Sequence, residues 1–320
     1  MLARRVAARS MGRLDLAKHA PPRICGQGAH RSRSIGRRLG SGAMNIIGLG
    51  KAGCAIAECF SKYPQYKTFY IDLDRRGENN YTIEKQQGPE QYEQNAPDLK
   101  KFLDSAEGAC YIVIGGSGDI SAMSLRVMEA IKDKKRISVV YIQPDRSLLS
   151  ERKKKHERVT FNVLQQYARS GAIERIYLIS NNAVEAVIGE VPIIGYYDKL
   201  NEVIVSTLHM INVCKNQEPV MGGLEEPGET RRISTVGIYD FEKDEEKLFF
   251  SLDNAREACY IYCVGGKRLR EDGSLHKTIV SQMTGKITDE TKTVSYGVFP
   301  TSYETDYGYL LIHSPMIQNQ

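Results

Sequence analysis

The chain has 320 residues, of which 41% are hydrophobic and 26% charged, and this length and composition are typical of a globular protein with two domains. No run approaches the roughly 18 apolar residues that a membrane-spanning helix needs, so we expect no membrane span. The net charge of +5 originates in residues 1–43, where nine Arg and one Lys accompany a single acid, Asp15. The remainder has 34 basic and 38 acidic residues, and this balance predicts no basic face for nucleic acid.

Residues 1–43 form a leader whose composition differs from that of the rest of the chain. An Arg-rich, acid-poor segment resembles a mitochondrial transit peptide. The alternative, which we favour, is sequence upstream of a true start at Met44, because a strand pattern begins immediately there. We therefore predict a disordered leader and leave it out of the fold prediction.

Seven cysteines show no CxxC pair and no His at zinc spacing, which favours buried, reduced thiols. We therefore expect a cytoplasmic protein, or a mitochondrial one if the leader is a genuine transit peptide.

Strands and helices alternate from Met44 onward, and this pattern is typical of a parallel sheet covered on both faces. A polar stretch over residues 75–97, rich in Gly, Asn, Gln and Pro, predicts a long exposed loop. The other predicted elements, in chain order, are strand 44–50, helix 51–63, strand 67–74, helix 98–108, strand 109–116, helix 121–135, strand 137–144, helix 150–170 and strand 174–182.

The second part of the chain has a different character. An amphipathic, mostly apolar segment predicts a long central helix, and Tyr-rich alternation after it predicts a mixed sheet. We predict an α/β fold with a parallel Rossmann-like sheet, a long central helix and a smaller α+β C-terminal domain. The predicted divisions are a nucleotide-binding domain over 44–197, the central helix over 198–215, a loop over 216–230 and the C-terminal domain over 231–320.

The first candidate site is a glycine-rich turn, Gly48, Gly50 and Gly53, which follows a strand and opens a helix. Glycines allow backbone N–H groups at a helix start to approach a phosphate. Asp72 and Asp74 end the next strand about twenty residues later, where the dinucleotide fingerprint has its ribose-binding acid. A tight strand-to-helix turn without a ligand is the other interpretation of this motif.

A second glycine-rich turn includes Gly115, Gly116, Ser117, Gly118 and Asp119, and it also follows a buried strand. Two such turns from neighbouring strands would surround one polyphosphate with two sets of backbone donors. Ser117 adds a hydroxyl, and Asp119 could help to position Mg²⁺. A nucleoside triphosphate site uses both turns, whereas a dehydrogenase needs only the first.

The segments IGLGKAGCAIAE and GGSGDISA resemble the two glycine loops of the tubulin/FtsZ superfamily of GTP-binding, filament-forming proteins. This resemblance implies GTP or GDP with Mg²⁺ as ligands and head-to-tail assembly of the chain with itself. Lys51 replaces a glycine of the first loop and could contribute a charge to the phosphates. Ile120 replaces the last glycine of the second signature, so that loop could be tighter or displaced.

The resemblance also implies a set of ribose and base contacts. Pro144 and the following charged segment resemble the part of the family that holds the ribose. An aromatic ring, an amide and a carboxylate would suit the guanine base and its donor and acceptor groups. The residues implied are Glu151 and Lys155 for the ribose, Asn181, Asn201 and Glu202 for guanine, and Tyr197 for stacking on the base.

In this family an acid from the loop after the central helix positions water at the next subunit's nucleotide. The usual NxDxxD pattern is missing here, and the acids in the corresponding place are Glu225, Glu226 and Glu229. A rough alignment favours Glu229, with Glu226 as second candidate, because a carboxylate can polarise water for attack. The chain is therefore a GTPase only if this acid is competent, and a solvated acidic loop is the other interpretation.

Two other functions remain open from the sequence. A Rossmann-type NAD(P)-dependent oxidoreductase explains Gly48 to Asp74, but it gives no role to the second turn, to Asn181 or to Tyr197. A structural filament protein could keep the same fold and assemble regardless of nucleotide. The sequence shows no catalytic triad and no spaced cluster for a protein-bound metal.

Overall fold

The computed structural model describes residues 44–133, 136–288, 293–303 and 305–319, and the predicted leader lies outside these ranges. The strands are β1 (Met44–Leu49), β2 (Tyr66–Asp72), β3 (Asn80–Thr82), β4 (Ala109–Gly115), β5 (Arg136–Gln143), β6 (Arg175–Ser180), β7 (Met221–Gly223), β8 (Ile233–Asp240), β9 (Glu245–Leu248), β10 (Glu257–Gly265), β11 (Thr293–Thr301) and β12 (Tyr307–Ser314). The α-helices are α1 (Gly50–Phe60), α2 (Pro89–Gln94), α3 (Lys100–Leu103), α4 (Ser124–Ala130), α5 (Glu151–Arg169), α6 (Asn181–Ile188), α7 (Tyr196–Lys215), α8 (Gly266–Glu271) and α9 (Leu275–Lys286).

The first part of the sheet is parallel, in the order β3-β2-β1-β4-β5-β6. Its central strands are nearly continuous apolar runs, because both of their faces are buried. The chain moves from β1 to β2 on one side and returns to β4 on the other side, so strand order reverses between β1 and β4. The carboxyl ends of all these strands lie at one edge, which we call the carboxyl edge, and the opposite side is the amino edge. Open α/β sheets bind ligands at the carboxyl edge, where strand order reverses.

The sheet continues from β6 onto β8, which runs parallel to it, and then through β12, β10, β11 and β7. The β8–β12, β12–β10 and β11–β7 pairs are antiparallel, whereas β10 and β11 are parallel. The predicted α/β class, with a large and mostly parallel sheet, is thereby confirmed. Strands on both sides of α7 belong to one sheet, and the division into domains at this helix stays a prediction. In the part of the chain that the structure describes, no helix is long and apolar enough to cross a membrane.

The prediction of a long loop over residues 75–97 is wrong, because this segment contains β3 and α2. Ile83 and Tyr92 are buried there, and Pro89 begins α2. The predicted helix over 98–108 is only the single turn α3. A three-residue strand and one- or two-turn helices are too short to produce a periodic apolar pattern, so tertiary packing rather than local periodicity determines them.

A buried histidine of α7, His209, contacts the start of β2 and the turn before it. The His209 ring stacks on Tyr63 with centroids 3.8 Å apart, and its Nδ1 lies 3.1 Å from the Tyr66 hydroxyl. Burial lowers the pKa of His209 to about 4. His313 is also buried, and burial holds its pKa well below the usual value. Both imidazoles are therefore neutral in the folded protein at pH values where the unfolded chain binds protons.

We predict that the free energy of unfolding falls as the pH drops from 7 to 5. The folded-state pKa of His209 is about 4, below its unfolded value of 6.5, so the unfolded state takes up a proton first. His209→Asn, which keeps an acceptor near Nδ1, should reduce this loss by about 2 kcal/mol in urea unfolding. His276→Asn on α9 alters an exposed histidine and should leave the pH dependence unchanged. Equal pH dependence in wild type and His209→Asn would contradict the prediction.

Candidate functional site

The first glycine turn lets α1 pack unusually close to the sheet. A Cβ added to Gly48 would lie 2.6 Å from the Gly53 carbonyl oxygen, and one added to Gly53 would lie 2.2 Å from the Val113 oxygen on β4. Real side chains do not tolerate such distances. Gly48 and Gly53 are therefore explained by helix-to-sheet packing, independently of any ligand.

Gly50 is the residue of this turn that faces the carboxyl edge. It opens α1 with φ +68°, a left-handed conformation that favours glycine. Among the described side chains none caps the start of α1, and the first turn contains no acid. The first N–H groups of a helix have no intrahelical partner and carry a partial positive charge, so they can bind an anion. Lys51 follows and is exposed.

The structure brings the second glycine turn into contact with the first. A Cβ added to Gly115 would lie 2.9 Å from Cβ of Ala52, and one added to Gly50 would lie 3.5 Å from Cβ of Ile120. Gly118 is exposed and extended, with φ −76° and ψ 133°, and the atom nearest to an added Cβ is 3.7 Å away. Space beside Gly118 is therefore open at the carboxyl edge. Ser117 is half-buried and Asp119 is exposed next to it.

A polar cluster of Tyr141, Arg146 and Glu157 packs against Gly116 of the second turn. An added Cβ on Gly116 would lie 2.2 Å from the Tyr141 hydroxyl, which donates a hydrogen bond to Glu157 at 2.7 Å. Arg146 Nε is 3.3 Å from Glu157 Oε2. Burial and the neighbouring Glu157 carboxylate raise the pKa of Tyr141 well above its usual value, so the hydroxyl stays protonated as a donor. Gly116 is thus also a packing glycine.

Neither this cluster nor the contact of His156 with the turn is predicted from the sequence. The His156 Nε2 atom lies 3.1 Å from the Gly118 carbonyl oxygen and 3.1 Å from the Ser121 hydroxyl. The only sequence signal is Glu157, an acid at helical spacing with the buried Phe161 and Leu164. An acid on an apolar helix face indicates a buried partner, but it does not identify that partner.

Further polar residues predicted for the site also lie at the carboxyl ends of strands. Asp74 is exposed after β2, and Asn181 is the first residue of α6, directly after β6. The Asp145 carboxylate, after β5, has its pKa lowered by hydrogen bonds from Ser147 and Asn182, so it joins the loop after β5 to the first turn of α6.

Two further residues predicted to hold the ribose lie at the start of α5. Glu151 is exposed and lies 2.8 Å from the Lys154 ammonium, which lowers its pKa by hydrogen bonding. Lys155 is exposed in the same turn. Both side chains are therefore accessible near the second glycine turn, which α5 contacts through His156.

The three residues predicted to bind guanine from α7 differ in their surroundings. The Tyr197 side chain is 62% exposed and lies edge-on to Tyr196, and Asn201 is half-buried. Glu202 forms ion pairs with Lys62 at 3.7 Å and Lys199 at 3.6 Å. Exposed ion pairs are worth at most about 1 kcal/mol, so they do not prevent Glu202 from contacting a ligand.

The candidate catalytic acids lie at the opposite side of the sheet from the glycine turns. Glu225, Glu226 and Glu229 are exposed on the loop that precedes β8. Ile233, the first residue of β8, pairs with Ile176 at the amino end of the parallel strand β6, so this loop lies at the amino edge. Strands of about six residues separate the two edges by roughly 20 Å. Glu229 therefore cannot reach the glycine turns of its own chain.

The turn that carries Glu229 is held in a fixed position. The Gly228 N–H donates to the Glu257 carboxylate at 3.1 Å, and the Arg231 N–H donates to the Gly228 carbonyl at 2.9 Å. The Arg231 guanidinium forms an ion pair with the same carboxylate. Glu257 was missed in the sequence because it lies on a strand far along the chain. The result is an anchored turn that projects Glu229 into solvent.

No protein-family model and no curated protein matches the sequence, whereas solved structures match the fold. A GTPγS-form protofilament of TubZ from Bacillus thuringiensis serovar israelensis is 14% identical, with 86% of this chain and 88% of that chain covered and a TM-score of 0.69. GDP-bound monomeric CetZ1 from Haloferax volcanii is 15% identical, with 85% and 94% covered and a TM-score of 0.63. An FtsZ dimer from M. jannaschii is 14% identical, with 85% and 88% covered and a TM-score of 0.60.

These likenesses establish the fold. The chain has the tubulin/FtsZ fold, as the resemblance of its glycine turns predicts. Identities of 14 and 15% are consistent with a divergent sequence.

We predict that the glycines of the two turns differ sharply in their effect on stability. Gly53→Ala should lower the free energy of unfolding by about 3 kcal/mol or more, because the new Cβ overlaps the Val113 carbonyl. Gly118→Val should change it by less than about 1 kcal/mol, because its backbone is extended and no atom lies close. Urea unfolding measures both values. Equal destabilisation by the two substitutions would contradict the assignment of Gly53 to helix-to-sheet packing and of Gly118 to an open space.

Proposed function

We propose that this protein binds GTP and GDP with Mg²⁺ between its two glycine turns. The observation that carries this proposal is the contact between the turns, Gly115 against Ala52 and Gly50 against Ile120, at the point where strand order reverses. The Gly116 and Gly118 N–H groups donate to the Ile142 and Gly115 carbonyls. The donors left for a ligand are therefore the uncapped start of α1 and the Ser117 backbone and hydroxyl. Donors from two turns at one place suit a polyphosphate better than a single turn does.

In this proposal the phosphates lie over Gly50 and Gly118, the two glycines at which an added Cβ would not overlap a neighbouring atom. Gly118 leaves open space, Gly50 begins α1 with uncapped N–H groups, Lys51 supplies a positive charge, and Asp119 helps to position Mg²⁺. Asn181 and Tyr197 would contact the base, supported by the position of Asn181 at the carboxyl edge and by the exposure of the Tyr197 ring. Glu151 and Lys155 would hold the ribose, and Asn201 and Glu202 would complete the guanine contacts.

We further propose that copies of the chain assemble head to tail and hydrolyse GTP in trans. The position of Glu229 supports this, because an acid at the amino edge can approach a nucleotide only on another copy. A contact between two different edges is heterologous and leads to an open polymer. One of the solved structures with this fold is a TubZ protofilament. Glu229, with Glu226 as second candidate, would orient the attacking water.

The NAD(P)-dependent alternative receives less support from the same geometry. Arg75 and Arg76 follow β2, where they could suit a 2′-phosphate: Arg75 forms an ion pair with Glu58 at 3.0 Å and lies over the Tyr70 ring, whereas Arg76 is exposed. These two residues do not decide against the alternative, because exposed ion pairs are weak. A dinucleotide enzyme would, however, leave the second turn without a role. The third alternative, a filament protein that assembles without nucleotide, is distinguished by calorimetric titration with GTP and with NADPH.

We expect calorimetric titration with GTP and Mg²⁺ to show binding in the micromolar range or tighter, and titration with NADPH to show none. Gly118→Val should weaken GTP binding at least about tenfold, because its side chain enters the phosphate space while the fold is retained. The matched control is Lys267→Ala, an exposed residue on α8. NADPH heat without GTP heat would favour the oxidoreductase, and no heat from either would favour the nucleotide-independent filament protein.

We expect Glu229→Gln to lower GTP turnover by roughly 100-fold or more while GTP affinity stays unchanged, because a positioned base contributes about that factor. An equimolar mixture of Glu229→Gln with Gly118→Val should recover part of the turnover, measured as phosphate release. In the mixture the first variant binds nucleotide and the second supplies the acid. Turnover that stays at the sum of the separate variants would contradict hydrolysis in trans.

A further inference from the structure

Three basic residues of α5 form an exposed surface beside the second glycine turn. Arg152, Lys155 and Arg158 are exposed and recur every third position in the first two turns of the helix. Helical residues three apart lie on the same face, so these side chains form one surface, which we call the basic ridge. His156, in the same turns, lies 3.1 Å from the Gly118 carbonyl oxygen, so the ridge is at the carboxyl edge.

The acids of the same two turns do not neutralise the basic ridge. Glu151 lies 2.8 Å from Lys154, which is not part of the ridge. Glu157 is buried, and its carboxylate contacts Arg146 and the Tyr141 hydroxyl. Glu90 of α2 comes near the ridge, since a Cβ added to Gly88 would lie 2.7 Å from Arg152 Nη2 and 3.4 Å from Glu90 Oε2. Three cations beside this one acid leave the ridge with a net positive charge.

The charges of the basic ridge destabilise α5. Ser150 caps α5, with its hydroxyl accepting from the Lys153 N–H at 3.4 Å, so the basic residues follow a true helix start. Cations at that end oppose the helix dipole by about 0.3–1 kcal/mol each. Like charges three residues apart add about 0.2–0.5 kcal/mol per pair. Charges that violate a local rule in this way are expected where binding uses them.

A surface of opposite charge lies at the amino edge. Glu225, Glu226 and Glu229 are exposed on the segment over residues 225–229, which we call the acidic turn. The Glu257 carboxylate anchors this turn through the Gly228 N–H, and the same carboxylate neutralises Arg231. The acidic turn is thus both negative and pre-organised, as a docking surface should be.

We propose that the basic ridge of one copy docks on the acidic turn of the next copy, so that this ionic contact selects the head-to-tail partner. Roughly 20 Å of sheet separate the two surfaces, so one chain cannot join them. Their charges are complementary and their edges are opposite, which makes the contact repeat along an open polymer. This inference rests on the proposed function for the polymer and adds the surfaces that form it.

The test reverses each charge in the full-length chain. Arg152→Glu/Arg158→Glu reverses the ridge, and Glu225→Arg/Glu226→Arg reverses the acidic turn. Each variant alone should raise the critical concentration for sedimentation with GTP and Mg²⁺ at least about tenfold, because like charges then face each other. An equimolar mixture should return to within about twofold of wild type, because each reversed surface meets its complement.

Two controls separate docking from other effects. Lys267→Glu/Lys277→Glu makes the same charge change on α8 and α9 and should leave the critical concentration unchanged. The ridge-reversed variant should melt at the wild-type temperature or above it, because acids replace cations at a helix start. Loss of assembly in this variant therefore cannot be attributed to unfolding.

Assembly of either reversed variant at the wild-type concentration, or no recovery in the mixture, would overturn the proposal. A tenfold loss of GTP affinity in the ridge-reversed variant would also overturn it, because the ridge would then bind the nucleotide's phosphates. If the wild type neither binds GTP nor sediments, the proposed function fails separately. Sedimentation velocity of the mixture then decides the docking: association only in the mixture supports it, and no association overturns it.

Discussion

The close approach of α1 to β1 and β4 is the constraint on which the rest of the site depends. Gly48 and Gly53 permit this approach, since a Cβ on either would overlap backbone atoms. With the helix so close, its first residue, Gly50, lies against Ile120, just beyond the second turn, and Ala52 lies against Gly115. The two turns thus become one surface at the carboxyl edge. The role of each glycine follows from its neighbours and backbone: Gly48, Gly53 and Gly116 serve packing, Gly50 provides the left-handed start of α1, and Gly118 leaves room for a ligand.

The second organising feature is the separation of charged groups between the two edges of the sheet. The glycine turns and the basic ridge lie at the carboxyl edge, whereas the acidic turn lies at the amino edge. In a single chain these groups cannot meet. Copies of the chain stacked in one direction would place the carboxyl edge of one copy against the amino edge of the next. The proposed nucleotide site, hydrolysis and docking surface all lie at this junction between two copies.

Much of the fold could be predicted from the sequence, because the buried strands are long apolar runs and the glycine turns directly follow them. The short elements between β2 and β4 could not, because a three-residue strand gives no period. The buried cluster of Tyr141, Arg146 and Glu157 joins a strand, a loop and a helix, and only the three-dimensional structure brings it together. Glu257 was missed for the same reason, since it lies 28 residues after Glu229 in the chain.

A crystal structure of the protein with a non-hydrolysable GTP analogue and Mg²⁺ would show directly whether nucleotide binds between the two glycine turns. If GTP binds as proposed, its phosphate oxygens lie within hydrogen-bond distance of backbone N–H groups from both turns, at the start of α1 and at Ser117. A ligand that contacts only the first turn, or that binds away from the carboxyl edge, would contradict this proposal.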